Sequence, residues 1–166
     1  MIYIGIDPGK SGALAIIWDG GNIEIVPFDE IAYRDRLGLI GEAIDCGSID
    51  EESGLKCECA VCALEKVGAM PLQGVTSTFN FGHNLGFVEG LLVANEIPYE
   101  LVTPQRWKKA FSLLKRDKDA SIAEARRLFP NVSLLPTERS RKDNDGMAEA
   151  LLLAEWARRF YRGNRV

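Results

Sequence analysis

Three short apolar segments near the start of the chain, separated by residues that favour tight turns, most constrain the possible folds. Met1–Asp7 is rich in isoleucine, Ala13–Trp18 is almost entirely apolar, and Ile23–Phe28 is again mostly apolar. The intervening stretches PGKSG and DGGN favour turns, and neither belongs to a P-loop or GxGxxG pattern. The sequence therefore predicts three antiparallel strands joined by hairpins.

The remainder of the chain alternates between helical and strand-like patterns. The predicted elements up to residue 95 are a helix at Glu30–Ile44, a polar loop at 46–56, a strand at Ala60–Val67, a loop at Gly68–Gly74 and a helix at Thr76–Asn95, whose apolar positions are Phe79, Leu85, Val88, Leu91 and Leu92. They are followed by a strand at Tyr99–Val102, a helical turn from Pro104, a helix at Asp117–Phe129, a loop at Asn131–Lys142 and a helix at Asn144–Arg162. Asp117 or Asp119 is expected to cap the helix at Asp117–Phe129. This order predicts one α/β domain spanning residues 1–166, with a mixed five-stranded sheet flanked by helices.

Charge is distributed unevenly along the 166 residues. The formal net charge is −4, yet residues 1–65 carry 13 acids and 4 bases, whereas residues 104–166 carry 8 acids and 15 bases. A basic C-terminal third is compatible with phosphate contacts, although ordinary solvated helix faces would give the same count. The overall acidity therefore does not exclude a nucleic-acid partner.

Several patterns bear on the compartment. The start, MIYIGIDPG, lacks the basic and long apolar regions of a secretory signal, and we expect no membrane span and a cytoplasmic protein. In a reducing compartment, cysteines are thiols or metal ligands before they are disulfides. The spacing of Cys46, Cys57, Cys59 and Cys62 is irregular for zinc, so we expect thiols, with Cys62 in the core.

Acidic residues stand at the ends of two predicted strands and at the start of the last helix. Asp7 ends the first strand, Glu65 lies near the end of the fourth, and Asp145 and Glu149 are four residues apart on one helix face. Taken singly, Asp7 fits a turn residue, Asp145 a helix N-cap and Glu149 a solvated acid. Together the four fit a divalent-cation site, because Mg²⁺ prefers carboxylate oxygen and water and leaves room for a substrate phosphate.

Five segments in order resemble the RuvC-type Holliday-junction resolvases of the ribonuclease H-like superfamily. They are IGIDPGKSGALAII, ALEKV, STFNFGHNLGFVEGLL, TPQRWKKAF and DNDGMAEALLLAEW, and they extend from Met1 to about Arg162. The resemblance implies a homodimeric crossover junction endodeoxyribonuclease that nicks four-way DNA junctions in recombination, repair or phage DNA processing. It also implies two Mg²⁺ ions per site, replaceable by Mn²⁺, with Asp7, Glu65, Asp145 and Glu149 as ligands and Lys108 as the basic catalytic residue.

This sequence departs from the bacterial pattern in two places. Bacterial members usually have two aspartates three residues apart in the last helix, whereas here the spacing is four and the second acid is Glu149. That arrangement is closer to phage and mitochondrial relatives, and it leaves open whether Asp143 takes part. The aromatic wedge that follows the second acid in the family is replaced by the sequence VGAM, which makes Met70 or Phe79 the candidate for opening the junction.

Basic residues cluster around the candidate catalytic lysine. The cluster expected to contact DNA comprises Arg106, Lys109, Lys115, Arg116 and Lys118. Trp107, Phe111 and Trp156 lie beside apolar neighbours and are expected in the core. His83 could touch a phosphate, but a place on the helix surface is the expected one.

Three alternatives remain open at this point. A related ribonuclease H-like nuclease could act on flaps, other branched DNA or RNA–DNA hybrids. A DNA-binding module without catalysis would keep the basic residues but not need the acids. The first hairpin also resembles the phosphate-binding hairpin of actin-like sugar kinases, which need a second domain that 166 residues cannot supply.

Overall fold

The computed structural model describes residues 1–28, 60–68 and 74–163. The predicted helix at Glu30–Ile44, the loop at 46–56, and Cys46, Cys57, Cys59 and Met70 lie outside the described residues. The elements are β1 (Ile2–Asp7), β2 (Ala13–Trp18), β3 (Ile23–Pro27), β4 (Ala60–Glu65), α1 (Val75–Ala94), β5 (Tyr99–Val102), α2 (Pro104–Ala110), α3 (Lys118–Leu128) and α4 (Asp145–Gly163).

The five strands form one mixed sheet in the order β3-β2-β1-β4-β5, which confirms the predicted fold class. β1 pairs antiparallel with β2, and β2 with β3, through the two predicted hairpins. β4 pairs in parallel with both β1 and β5. Because β1 and β4 are parallel neighbours, with Ile6 opposite Leu64, their carboxyl ends meet at the same edge of the sheet.

Alternation along the strands divides the core into two layers. Ile2, Ile4 and Ile6 of β1 belong to a layer that α1 covers with Val88, Leu91 and Leu92. Tyr3 of β1 belongs to the opposite layer, which contains Trp107 of α2, Ala125 of α3 and most of α4. Since both faces of the central strands are covered, the strands are apolar almost throughout, as their sequences predict.

Two glycines allow α4 to approach the sheet closely. A Cβ atom on Gly5 of β1 would lie 2.1 Å from the backbone nitrogen of Ala154 and 2.2 Å from the carbonyl oxygen of Ala150. A Cβ atom on Gly146 would lie 2.1 Å from the carbonyl oxygen of Ser11, in the turn between β1 and β2. The first turn of α4 is therefore held directly against the turn that follows Asp7.

Helix ends and helix faces agree with the sequence in most places. The Asp117 carboxylate caps α3 by accepting a 3.1 Å hydrogen bond from the backbone N–H of Ala120, as predicted. Phe111, Trp156 and Cys62 are buried, also as predicted. Phe79 belongs to the apolar pattern of α1, yet its side chain is 71% exposed, because α1 covers the sheet with only one of its faces.

Within the described ranges, no helix is long and apolar enough to cross a membrane.

Candidate active site

Asp7 is the last residue of β1, and its position at the edge of the sheet exposes its carboxylate to several charges. Its Oδ1 atom accepts a 2.9 Å hydrogen bond from the backbone N–H of Gly9 in the following turn. Burial and, to a smaller extent, the negative charges of Glu149 and Asp145 raise its pKa to about 6, and the hydrogen bond from Gly9 opposes that rise. Asp7 thus has acidic neighbours from a distant part of the sequence.

Glu65 ends the parallel neighbour strand β4 and is 7% exposed. Its Oε1 atom accepts a 2.9 Å hydrogen bond from the indole Nε1–H of the fully buried Trp107. Burial and then the charge of Asp7 raise its pKa to about 7, and the Trp107 hydrogen bond opposes that rise. The two strand-end acids are therefore electrostatically coupled, as expected when their strands are neighbours.

The first two turns of α4 provide the other two acids. Asn144, and not Asp145, caps this helix, because its Oδ1 atom accepts a 2.9 Å hydrogen bond from the backbone N–H of Met147. Asp145 therefore follows the cap as the first helical residue, where its negative charge favours the positive end of the helix dipole. Glu149 lies one turn further on, on the side that faces Asp7 and Glu65.

Glu149 is held by side chains from two other helices. Lys108 of α2 places Nζ 2.9 Å from Glu149 Oε1, and the buried hydroxyl of Ser121 in α3 donates a 3.1 Å hydrogen bond to the same oxygen. Because both contacts use Oε1, the second oxygen of Glu149 is the one directed away from them. Lys108 thus lies at the acidic cluster, although its role in catalysis stays a prediction.

The four acids suit a divalent cation in their chemistry. The negative charges of their neighbours contribute to the raised pKa values of Asp7 and Glu65, so a bound cation would relieve a repulsion that Lys108 offsets in part. Carboxylate oxygens are also the ligands that Mg²⁺ prefers. Nowhere among the described residues do three or more such side chains already stand in an arrangement that could hold a metal ion. Cation binding would therefore require these side chains to turn toward a common centre.

The predicted DNA-binding residues divide into two groups. Lys109, Lys115 and Arg116 are exposed, and the side chain of Lys118 lies outside the described part of the structure. Arg106 is also exposed, but it pairs with Glu100, and its guanidinium carbon lies 4.9 Å from the centroid of the Trp156 ring. Arg106 therefore has a packing role that the sequence did not reveal.

The carboxylate of Asp143, whose part in the site the sequence left open, forms an ion pair with Arg126. Arg126 of α3 donates two hydrogen bonds to its carboxylate, of 2.7 and 2.8 Å. This pairing joins α3 to the segment before α4 and engages both carboxylate oxygens of Asp143. Between the same elements lies a cleft of about 370 Å³, lined by Asp145, Asp119 and Lys142 among others, so that Asp145 borders an open cleft.

Sequence reasoning missed two residues that contact the acids. Trp107 was expected in the core, where it lies, but not as a hydrogen-bond donor to Glu65. A buried tryptophan usually finds a partner for its N–H, so a tryptophan beside a candidate catalytic lysine was a usable signal. Ser121 carried no comparable signal. His83, in contrast, is exposed on α1, as expected.

One exposed surface of α1 is unusually apolar. Val75, Phe79 and Val93 are 87%, 71% and 64% exposed. Glycines 82, 86 and 90 recur every four residues along the same helix, and nothing lies within 4 Å of a Cβ atom built on any of them. This set, here called the α1 outer face, is bulky at its ends and flat in its middle.

Comparison with known proteins reveals likeness in structure but not in sequence. No protein-family profile and no curated protein sequence matches the chain significantly. Thermus thermophilus RuvC matches with a TM-score of 0.55 at 16% identity over 99% of this chain and 97% of that one. T. thermophilus RuvC in complex with a Holliday junction substrate matches with a TM-score of 0.57 at 17% identity, over 99% and 96%. The chain therefore has the ribonuclease H-like fold of RuvC over nearly its whole length.

Proposed function

We propose that this protein is a metal-dependent endonuclease that resolves four-way DNA junctions by paired nicks. The observation that carries the proposal is geometric: Asp7 and Glu65 lie at the ends of adjacent parallel strands, next to the first two turns of α4, which carry Asp145 and Glu149. Acidic side chains that are gathered at the ends of two core strands and largely removed from water are costly to maintain unless they have a function. The same fold in RuvC, one of whose structures contains a Holliday junction substrate, supports the choice of substrate.

The acids would hold the cations and Lys108 would provide a positive charge beside them. Asp7, Glu65, Asp145 and Glu149 would bind two Mg²⁺ ions, or Mn²⁺ in their place, which would activate the attacking water and neutralise charge on the phosphate and the leaving oxygen. Gly9 and Trp107 each hold one oxygen of an acid by a hydrogen bond. Lys108, 31% exposed, can reach a phosphate as well as Glu149.

DNA would approach over the basic residues beside the site. Lys109, Lys115 and Arg116 are exposed on and after α2, the helix that also provides Lys108. Phosphate contacts of this kind position a duplex arm without reading its sequence. The phage or mitochondrial type and a cytoplasmic location remain parts of this proposal.

Paired nicks require two active sites, which a two-fold symmetric dimer provides. We assign the α1 outer face to the contact with a second copy of the chain. Its exposed apolar side chains favour burial, and its row of glycines lets a second helix approach closely.

Cleavage of defined substrates tests the proposal. A synthetic four-way junction, a flap, a plain duplex and an RNA–DNA hybrid are incubated with the protein in Mg²⁺, in Mn²⁺ and in EDTA. We expect cleavage of the junction alone, at two symmetric positions, and none in EDTA. Preferred cleavage of the flap or the hybrid would assign the site to another ribonuclease H-like nuclease, and binding without cleavage would indicate a DNA-binding module.

A further inference from the structure

Two consecutive residues of α2 reach two acids that lie on different elements. Trp107 donates to Oε1 of Glu65 on β4, and Lys108 pairs with Oε1 of Glu149 on α4. The Lys108 ammonium is also 5.0 Å from the centroid of the Trp107 ring. This short helix therefore contacts the acidic cluster with a neutral donor on one side and a cation on the other.

The hydrogen bond from Trp107 restrains a torsion that packing alone would leave loose. The last torsion of a glutamate is broad, so a buried carboxylate can rotate unless one of its oxygens is held. The indole N–H holds Oε1 at 2.9 Å from inside the core, where Trp107 is fully buried. Oε2 of Glu65 is then fixed on the side away from the indole.

Packing alone does not account for this arrangement. A phenylalanine would fill much of the same apolar volume, and its ring would still lie beside Lys108. The indole N–H instead needs an acceptor once it is buried, and the acceptor here is an acid whose charged form burial disfavours. Trp156, in the same core layer and 5% exposed, provides the comparison, because it stacks on Phe160 with ring centroids 4.9 Å apart.

We propose that Trp107 is a positioning residue, whose indole N–H orients Glu65 for binding the catalytic divalent cation. The inference rests on the proposed function, since it assumes that Glu65 is a ligand. Partners that orient metal ligands in this way commonly change metal affinity by about 10- to 100-fold when they are removed. The effect should appear in cation binding itself, without DNA.

The test compares Trp107→Phe with the matched variant Trp156→Phe. Binding of Mn²⁺ to each protein without DNA is followed by the electron paramagnetic resonance signal of the free ion. We expect Trp107→Phe to weaken Mn²⁺ binding by at least about 10-fold and to raise the Mn²⁺ concentration for half-maximal junction cleavage by a similar factor. Trp156→Phe should lose stability while keeping the wild-type Mn²⁺ affinity.

The outcomes separate this inference from the proposed function. Wild-type affinity for Mn²⁺ in Trp107→Phe would overturn the role of Trp107 while leaving the nuclease proposal intact. Equal weakening in Trp156→Phe would also overturn it, since general loosening of the core would then explain the loss. Wild-type protein that neither binds Mn²⁺ nor cleaves any substrate would overturn both proposals.

A second measurement needs no substitution at Trp107 and covers the case in which that variant fails to fold. The indole N–H resonances of the wild-type protein are followed by nuclear magnetic resonance during a Mg²⁺ titration, and Trp18→Phe and Trp156→Phe assign the Trp107 signal by elimination. We expect the Trp107 signal to move with Mg²⁺ binding and to move again in Glu65→Gln. A Trp107 signal that stays in place while cleavage depends on Mg²⁺ would overturn the inference.

Discussion

The Nζ atom of Lys108 lies 2.9 Å from Oε1 of Glu149, so that α2 and α4 meet through opposite charges at the acidic cluster. The side chain of Lys108 is 31% exposed and that of Glu149 16%, so the pair is partly reached by solvent. Without the positive charge of Lys108, the repulsion of Asp7 and Glu65 by Glu149 would be offset less. Lys108 therefore has two possible uses, holding Glu149 and meeting a phosphate.

Replacing Lys108 by alanine should slow cleavage more than it weakens binding. We expect single-turnover cleavage of a four-way junction to fall by about 10²-fold, because loss of one preorganised charge at a reacting centre commonly has that effect. Lys109→Ala, one residue along and exposed, is the control: as a proposed DNA contact it should weaken binding, but at saturating protein it should change the cleavage rate little. Cleavage by Lys108→Ala at the wild-type rate would contradict a catalytic role.

Replacing Asp7 by asparagine should abolish cleavage while junction binding persists. The substitution keeps the size and the acceptor that Gly9 contacts, but removes the charge that a divalent cation needs. Binding is measured by gel shift in Ca²⁺ or EDTA, and cleavage in Mg²⁺. A folded variant that loses both binding and cleavage would point to a structural role for Asp7 in the turn after β1.

Stability of the metal-free protein should fall as the pH rises through the range from about 4 to 7. The pKa values of Asp7 and Glu65 are about 6 and about 7 in the folded protein, above their ordinary values of 3.8 and 4.5. In that range the folded protein keeps protons that the unfolded chain has lost, so deprotonation lowers the free energy of unfolding. A difference of one pKa unit corresponds to about 1.4 kcal/mol.

Urea unfolding at pH 5 and at pH 8, with EDTA and with Mg²⁺, checks this dependence. We expect lower stability at pH 8 in EDTA, a gain on adding Mg²⁺, and a weaker pH dependence in the Asp7→Asn variant. Equal stability at the two pH values, in a wild-type protein free of metal, would show that burial and neighbouring charges do not raise the pKa values of Asp7 and Glu65 as the structure implies.

Agreement between sequence and structure is closest where local patterns decide the outcome. Asp7 and Glu65 could be assigned to strand ends because each ends an apolar strand, whereas the strand order that makes those ends neighbours came from the structure. The contact between Trp107 and Glu65 joins residues 42 positions apart, and no periodicity encodes it. Phe79 was misleading because hydrophobic spacing does not say whether the second face of a helix has a partner within its own chain.

The exposed bases on and after α2 should set the salt dependence of DNA binding. Lys115 and Arg116 are exposed in the turn before α3, and Lys115 adopts a positive φ of 61° that fixes its place in the turn. Replacing Lys115, Arg116 and Lys118 together by alanine should reduce the slope of log affinity against log salt by about 0.9 for each phosphate contact that is lost.

Arg127→Gln is the control for that triple variant, because Arg127 already pairs with Glu124 at 2.7 Å and lies on another part of α3. Affinity for the four-way junction is measured at several salt concentrations for each protein. Unchanged affinity and an unchanged slope in the triple variant would mean that these bases are ordinary solvated residues.

Replacing Phe79 by glutamate should separate the proposed dimer. Phe79 is 71% exposed on the α1 outer face, so a charge there should be tolerated by the folded monomer. Burial of two such charges across a two-fold axis would be costly, because each would lie in an apolar contact with no cation beside it. Sedimentation should then show a dimer for the wild-type protein and a monomer for Phe79→Glu, and the variant should nick a junction without the paired second cut. Leu114→Glu, which changes an exposed leucine outside this face, should remain dimeric, and a wild-type protein that stays monomeric on the junction would contradict the assignment of this face.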